Sequence, residues 1–267
     1  SMDVSRHYDP SYVDAQTFLI YNVTEKLELN FLGNFSSNKY KYIPLDGETS
    51  FGTVSDALKI RTYFEGQEVD RFNSGTAAFS VNYTPSNNLS LKFIASGYYT
   101  NEEETYDILA QYYLNEIDQQ LGATTGDSVS NIGVGSFLDH ARNYYDGFVV
   151  SAKHIGTFVK GENKLDWGVQ TNYENYSYHV HEWTMNDSAD YSLPYSDNAV
   201  LLYLTDIANI GLQSIRASAY VQDSYLFKAE GADVSLGGGV RFNFWSFNKQ
   251  FLASPRINLS VKPTNWK

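Results

Sequence analysis

The sequence has no cysteine, which excludes disulfide frameworks, zinc sites built from thiolates and cysteine nucleophiles. It also has no uninterrupted apolar run of about eighteen residues, so no transmembrane helix is predicted. Basic residues are few, and the formal net charge of -12 disfavours a nucleic-acid partner. No nucleophile elbow, phosphate-binding glycine loop or HExxH zinc helix is present, so we predict no enzyme, no bound metal and no cofactor.

Aromatic residues, by contrast, are abundant. With 22 Tyr, 16 Phe and 4 Trp they make up 16% of the chain, and aromatic side chains favour β-strands. The mean hydropathy of -0.38 is compatible with a membrane β-barrel, in which only alternate residues meet lipid. The excess acid is spread through polar segments such as 101–104. It is explained either by solubility or by the attraction of cationic ligands or metal ions.

The segment 148–175 shows a pattern that repeats through the chain. Two arms flank a polar turn at 161–164, and each arm alternates apolar with polar residues, as strands do with period two. One face is mainly apolar: Phe148, Val150, Ala152, His154, Phe158, Leu165, Trp167, Val169 and Tyr173. The other face is polar and carries several charges. Long arms of this kind, joined by a short turn, are typical of outer-membrane barrels.

The connections between the predicted strands differ in length. Short turns are predicted at 24–26, 84–88, 161–164, 228–232 and 263–266, and long loops at 1–14, 38–71, 115–134 and 184–211. Alternation of short turns with long loops indicates a bacterial outer-membrane barrel, whose periplasmic turns are short and whose extracellular loops are long. The predicted fold is all-β: an antiparallel up-and-down transmembrane segment of about nine strands from a larger barrel.

A barrel also predicts where the charged residues of the strands lie, because they suit a water-filled lumen. The predicted lumen-facing residues are Lys153, Asp166, Gln170, Asn172, Glu174, Arg216, Arg241 and Arg256. Four tyrosines of the predicted loops are candidates for stacking on a ligand such as a sugar or siderophore, or else for interface anchoring and loop packing. They are Tyr40, Tyr42, Tyr191 and Tyr195. His179 and His181 share a strand face, but without a third ligand a polar rim explains them better than a metal site.

The alternative fold is a soluble β-sandwich that binds a ligand such as a carbohydrate. A sandwich would bury Leu165, Trp167 and Val169 against a second sheet, whereas a barrel would leave them facing outward in a belt. Small residues at mid-strand apolar positions, such as Gly97 and Ala219, favour contact with fluid lipid over packing against a second sheet.

Several stretches resemble the barrel region of TonB-dependent outer-membrane receptors. They are Phe31-Leu32-Gly33-Asn34-Phe35-Ser36-Ser37-Asn38, Glu48-Thr49-Ser50-Phe51-Gly52-Thr53, Tyr63-Phe64-Glu65-Gly66, Glu182-Trp183-Thr184-Met185-Asn186-Asp187-Ser188 and Ser254-Pro255-Arg256-Ile257-Asn258-Leu259. The most similar subgroup carries an N-terminal carboxypeptidase-regulatory-like domain before its plug. The resemblance covers nearly all of the chain.

This resemblance implies active uptake of a nutrient of the siderophore, glycan, vitamin or peptide class across the outer membrane of a Gram-negative bacterium. It implies contact with outer-membrane lipid and, in the full-length protein, a plug domain, the TonB complex and a 22-stranded barrel. Residues 1–267 are then expected to be an internal part of that barrel, without plug or TonB box. Ser1-Met2 is expected to be a cloning remnant.

Overall fold

The computed structural model describes residues 6–52, 57–117, 128–188, 191–199, 201–229 and 231–263. Every regular element in these ranges is a β-strand. The strands are β1 (Arg6–Thr24), β2 (Leu27–Pro44), β3 (Gly47–Gly52), β4 (Ala57–Ser86), β5 (Leu89–Ile117), β6 (Ser128–Lys160), β7 (Asn163–Ser188), β8 (Tyr191–Leu193), β9 (Leu204–Ala229), β10 (Ala232–Trp245) and β11 (Gln250–Pro263). Within the described ranges no helix is long and apolar enough to cross a membrane.

All strands belong to one antiparallel sheet with up-and-down topology. Its order is β1-β2-β4-β5-β6-β7-β9-β10-β11, and the short strands β3 and β8 pair with β4 and β7. The nine strands of this path confirm the predicted antiparallel fold. In the described part of the chain β1 and β11 each pair with one neighbour along this path, so the sheet has two open edges.

The predicted long loops are wrong over much of their length, because the strands extend through them. Strand β1 already begins at Arg6, β2 runs to Pro44, β5 reaches Ile117 and β6 starts at Ser128. The undecided segment near Ser55 is strand from Ala57 onward, and residues 53–56 lie outside the described ranges. At the same end of the sheet, β10 and β11 are joined by a short turn between Trp245 and Gln250 rather than by a long loop.

The strands alternate so that the sheet has one apolar and one polar face near the short turns. Phe79 lies between Phe31 on β2 and Ala95 on β5, while the next residue, Ser80, lies between Asn30 and Ile94. The apolar side chains form a band across the sheet, for example Gly75–Tyr83 on β4 and Leu91–Tyr99 on β5. Each of these segments matches the roughly nine to eleven residues with which a tilted strand crosses a membrane.

The apolar band ends abruptly on its own face. Directly beyond it lie Asn73, Asn101 and Asp146, where Asp146 accepts hydrogen bonds from the hydroxyl of Tyr99 at 2.9 Å and from Asn101 at 3.0 Å. Further along the same face Arg71 pairs with Glu103 at 2.9 Å. The strand segments beyond the band therefore have polar residues on both faces, as expected for a sheet that continues into water.

The sheet has almost no interior. Among the described residues the buried hydrophobic side chains are Ala110, Ala141 and Val180. Val169, which a sandwich would bury, remains 55% exposed, and Phe93 remains 49% exposed. No second sheet covers either face in the described ranges. The alternative of a two-sheet sandwich is therefore wrong, since a sandwich packs its apolar faces against each other.

Candidate functional site

All eight residues predicted to line a lumen lie on the polar face of the sheet. Their register follows from the pairs Lys153 with Gln170, Asn172 with Arg216 and Gly239 with Arg256. We call six of them the paired patch: Lys153, Asp166, Glu174, Arg216, Arg241 and Arg256. The patch lies at the level of the apolar band, on the opposite side of the sheet. The alternation of strand residues therefore places them together as predicted, and their exposure to a lumen stays a prediction.

Glu174 is the best-satisfied carboxylate of the paired patch. It is 7% exposed, and it accepts a hydrogen bond from the Ser214 hydroxyl at 2.9 Å and one from Arg216 Nε at 3.0 Å. The Arg216 guanidinium carbon lies 4.3 Å from the ring centroid of Trp245, whose indole Nε1 donates to Ser214 at 3.1 Å. The buried charge is thus neutralised and fully bonded, which is the condition under which burial of a carboxylate is tolerated.

Three further members of the paired patch, Asp166, Arg241 and Arg256, are also engaged or border open hollows. Asp166 accepts from the Thr157 hydroxyl at 2.7 Å and pairs with Lys164 at 2.9 Å. Arg241 lies over the ring of Tyr220 at 5.3 Å. A hollow of about 260 Å³ is lined by Asp166, Arg241 and Arg256, and a neighbouring one of about 400 Å³ by Gln170, Asn172 and Arg216. The patch is a polar wall in which acids and bases are mixed.

The four candidate tyrosines are divided by the structure. Tyr40 and Tyr42 lie in strand β2 rather than in a loop, and they pair with Asp70 and Glu68 of β4. Tyr40 stacks on Tyr8 at 5.8 Å and meets Phe72 edge-on at 5.9 Å. The backbone of Tyr191 belongs to β8 and pairs with Ser188. Tyr195 lies in a connection, where its hydroxyl bonds to Asp197. The structure brings Tyr40 and Tyr42 together and leaves Tyr195 apart from them.

Beyond the level of the apolar band, the polar face carries a second group of charges that the sequence analysis missed. We call it the acidic shelf. Its members come from β4, β5 and β7: Glu68, Asp70, Glu102, Glu104 and Glu182. One carboxylate oxygen from each of Glu68, Asp70 and Glu104 lies within 4.8 Å of the others. Asn143, which is 4% exposed, donates to Glu104 at 2.9 Å and also to Glu182.

Partial burial and then mutual repulsion raise the pKa values of two carboxylates of the acidic shelf, Glu68 and Asp70. Desolvation, followed by the charges of Asp70 and Glu104, raises the pKa of Glu68 above its ordinary value. Desolvation and then Glu104 raise the pKa of Asp70. The same surroundings raise the pKa of Tyr106 to about 12, through desolvation first and then Glu182 and other carboxylates. Each shift has the sign expected where acids gather without enough counter-charge.

Tyrosines border the shelf on the β7 side. Tyr145 stacks on Tyr176 at 6.3 Å and meets Tyr178 edge-on, also at 6.3 Å. Two hollows open here. One has a volume of about 260 Å³ and lies beside Asp70, Glu102 and Glu104, and the other has a volume of about 480 Å³. The second hollow is lined by Glu102, Tyr145, Tyr176, Tyr178, Ile210 and Leu212. Acidic groups therefore lie beside a largely apolar recess.

The histidine pair of β7 lies on the opposite face and forms no metal-binding group with its neighbours among the described residues. His179 bonds to Asn209, and His181 meets the ring of His140 at 5.7 Å. His140 in turn stacks on Trp183 at 4.8 Å and bonds to Asp107. These contacts agree with the polar rim that the sequence favoured over a metal site.

A long up-and-down antiparallel sheet with an apolar band on one face and a polar opposite face is the wall of a transmembrane β-barrel. A family model described as "TonB dependent receptor-like, beta-barrel" matches residues 22–267. The chain therefore belongs to this family of barrel domains, as the sequence resemblance predicted. The subgroup with the additional N-terminal domain stays a prediction.

The ferric preacinetobactin receptor BauA from Acinetobacter baumannii is similar to this chain with a TM-score of 0.32 and 10% sequence identity. The match covers 97% of this chain and 44% of that receptor, so the chain spans less than half of its length. A search of curated proteins gives no match.

Proposed function

We propose that this chain forms part of the barrel wall of a TonB-dependent receptor in the outer membrane of a Gram-negative bacterium. In the full-length protein the barrel surrounds a plug, and the TonB complex energises uptake of a nutrient. The family match over residues 22–267 supports the class of protein. The nutrient belongs to the siderophore, glycan, vitamin or peptide class under this proposal.

The observation that carries the proposal is the height of the apolar band. Gly75–Tyr83 and Leu91–Tyr99 each present apolar side chains to one side only, and this side is not covered by any described part of the chain. Phe79 and Phe93 are 45% and 49% exposed. Contact with lipid would remove this apolar surface from water at roughly 25 cal/mol per Å². The polar face would then line the lumen.

The open edges and the two ends of the sheet fit the same proposal. Strands β1 and β11 present unpaired backbone groups, which a membrane does not tolerate, so further strands of the full-length receptor would pair with them. The strand ends beyond the band, where Asp70 and Glu104 lie, would face the cell exterior. The ends joined by tight turns such as that at Gly161, with φ of 61°, would face the periplasm.

Spin labels can test which face meets lipid. The chain has no cysteine, so Phe79→Cys and Ser80→Cys each add one labelling site, on neighbouring residues of opposite faces. The full-length receptor is labelled and reconstituted in lipid vesicles. We expect the label at 79 to be more accessible to oxygen, which partitions into lipid, and the label at 80 to be more accessible to a water-soluble nickel chelate. The pair Val81→Cys and Asn82→Cys repeats the test one step along the strand, and reversed accessibilities at both pairs would exclude the proposal.

A further inference from the structure

Two neighbouring hollows on the outer part of the polar face share a wall. Glu102, Tyr145 and Tyr178 line both the hollow of about 260 Å³ beside the acidic shelf and the hollow of about 480 Å³ beside β9. In combination they exceed 300 Å³, the lower end of the range for small-molecule pockets. A single ligand can therefore contact the shelf with one end and the recess with the other.

The charge of this surface has one sign. On the shelf side of the apolar band, the described residues of β4 to β9 that alternate onto the polar face include no lysine and no arginine. On these strands Arg71 and Arg142 lie on the opposite face, where they bind Glu103 and Asp107. On the polar side Asn143 is a donor shared between two carboxylates. The shelf therefore lacks the counter-charges that neutralise the paired patch.

One atom of the shelf has no hydrogen-bond partner among the described residues. Oδ1 of Asp70 is buried and makes no hydrogen bond, although the side chain as a whole is only partly covered. A buried acceptor without a donor costs about 1–3 kcal/mol. Asp70 also lines the hollow beside the shelf, so its carboxylate lies at that hollow with one oxygen unsatisfied.

The second hollow has different chemistry. Its wall combines the stacked rings of Tyr145 and Tyr176 with the aliphatic side chains of Ile210 and Leu212. Tyrosine faces bind flat apolar groups, and they also attract cations placed over the ring. A bare metal ion would use the carboxylates and leave this recess empty, whereas an organic cation uses both.

We propose that the two hollows bind an organic cation, with its amine or guanidinium group at the acidic shelf and an aromatic or other flat apolar group in the tyrosine recess. This inference rests on the proposed function, because it names the class of nutrient that the outer end of the lumen receives. The same surface disfavours anions, since each carboxylate of the shelf repels them across a partly dry site.

Three indole compounds of similar size test the charge preference. Tryptamine carries an ammonium group, tryptophol is neutral and indole-3-acetate carries a carboxylate. Binding of each to the purified full-length receptor is measured by isothermal titration calorimetry at fixed salt. We expect tryptamine to bind at least about tenfold more tightly than tryptophol, which corresponds to about 1.4 kcal/mol, and indole-3-acetate to bind most weakly. Equal binding of all three, or preference for the anion, would overturn the proposal.

Substitutions locate the binding and control for folding. The double variant Glu102→Gln and Glu104→Gln should weaken tryptamine binding about tenfold while leaving tryptophol unchanged. Glu65→Gln is the control for charge, because Glu65 lies on the opposite face of β4 and its substitution removes one of the two negative charges that the shelf variant removes. Tyr178→Ala should weaken both compounds. If Glu65→Gln reduces tryptamine binding as much as the shelf variant does, the effect is the general charge of the protein and the proposed site is wrong.

A failure of the ligand proposal can be distinguished from a failure of the proposed function. If the spin labels at 79 and 80 give the expected accessibilities and tryptamine shows no preference, only the ligand class is wrong. If the labels give the reverse, the polar face is not the lumen and both proposals are wrong.

Discussion

The paired patch and the acidic shelf lie on the same face of the same sheet, yet they differ in how well their carboxylates are supplied with hydrogen-bond donors and positive charges. In the patch, Glu174 has Arg216 and Ser214 as donors, and Asp166 has Lys164 and Thr157. In the shelf, Asp70 Oδ1 has no partner among the described residues. The comparison shows that the burial of a carboxylate does not by itself indicate a structural role. A surface whose charges are already satisfied is structural, whereas one whose charges lack partners favours a ligand of opposite sign.

Removal of one carboxylate from each region gives the largest expected contrast. Glu174→Ala leaves Arg216 and the Ser214–Trp245 pair without their shared acceptor, and we expect it to lower the free energy of unfolding by about 2–3 kcal/mol. Glu104→Ala removes a charge that repels Glu68 and Asp70, so it should be neutral or slightly stabilising. Urea unfolding of both full-length variants in detergent measures the difference. Equal destabilisation by the two substitutions would contradict the contrast.

The acidic shelf should also make ligand binding depend on pH. The pKa values of Glu68 and Asp70 are raised, so as pH falls these groups become neutral at a higher pH than ordinary carboxylates near pH 4. Tryptamine binding should therefore weaken on acidification from a correspondingly higher pH. The titrating or polar groups that face them are Tyr40 and Tyr42 on β2, Glu104 and Tyr106 on β5, and Asn143 on β6.

Calorimetric titrations over a pH series measure this loss of binding. Asp70→Asn removes one of the two titrating groups, so the remaining pH dependence should shift to lower pH. Asp166→Asn, in the paired patch, is the matched control and should leave the pH profile unchanged. An identical profile in the wild type and in Asp70→Asn would show that Asp70 does not control binding.

The smallest effect is expected for an ion pair that is satisfied but exposed. Arg71 and Glu103 lie on the opposite face beyond the apolar band, with side chains 48% and 29% exposed. A double-mutant cycle with Arg71→Ala and Glu103→Ala should give a coupling energy of about 0–1 kcal/mol, because solvent screens the pair. The same cycle for Arg216 and Glu174 should give a larger value. Similar coupling energies in urea unfolding would mean that the burial of Glu174 does not strengthen its ion pair.

The membrane-spanning part of the sheet could be predicted from the sequence, because lipid on one face and water on the other require apolar and polar residues to alternate along each strand. Phe79 and Ser80, or Val169 and Gln170, reveal their faces from their neighbours alone. The same alternation placed all eight polar candidates on one face. The alternation of faces with period two is a local property of one strand, so it can be recognised without knowing which strands pair.

The acidic shelf could not be predicted in the same way. Beyond the band both faces are polar, so segments such as 57–71 lose the apolar alternation and resemble loops. Asp70 and Glu104 are brought together only by the register between β4 and β5. The sequence did show an excess of acid and left attraction of cations as one explanation. What it lacked was the pairing that gathers these acids on one face without bases.

Asn143 links the shelf to the integrity of the sheet. The ladder between β6 and β7 pairs Ala141 with Glu182 and Tyr144 with His179 but skips the two residues between, and there the side-chain oxygen of Asn143 accepts from the His181 amide at 3.3 Å. One side chain thus replaces a backbone hydrogen bond and also holds Glu104 and Glu182. A cation that draws these carboxylates toward itself competes for them with the side-chain amide of Asn143. We therefore expect cation binding at the shelf to change the hydrogen-exchange rate of the His181 backbone amide, and this rate can report binding.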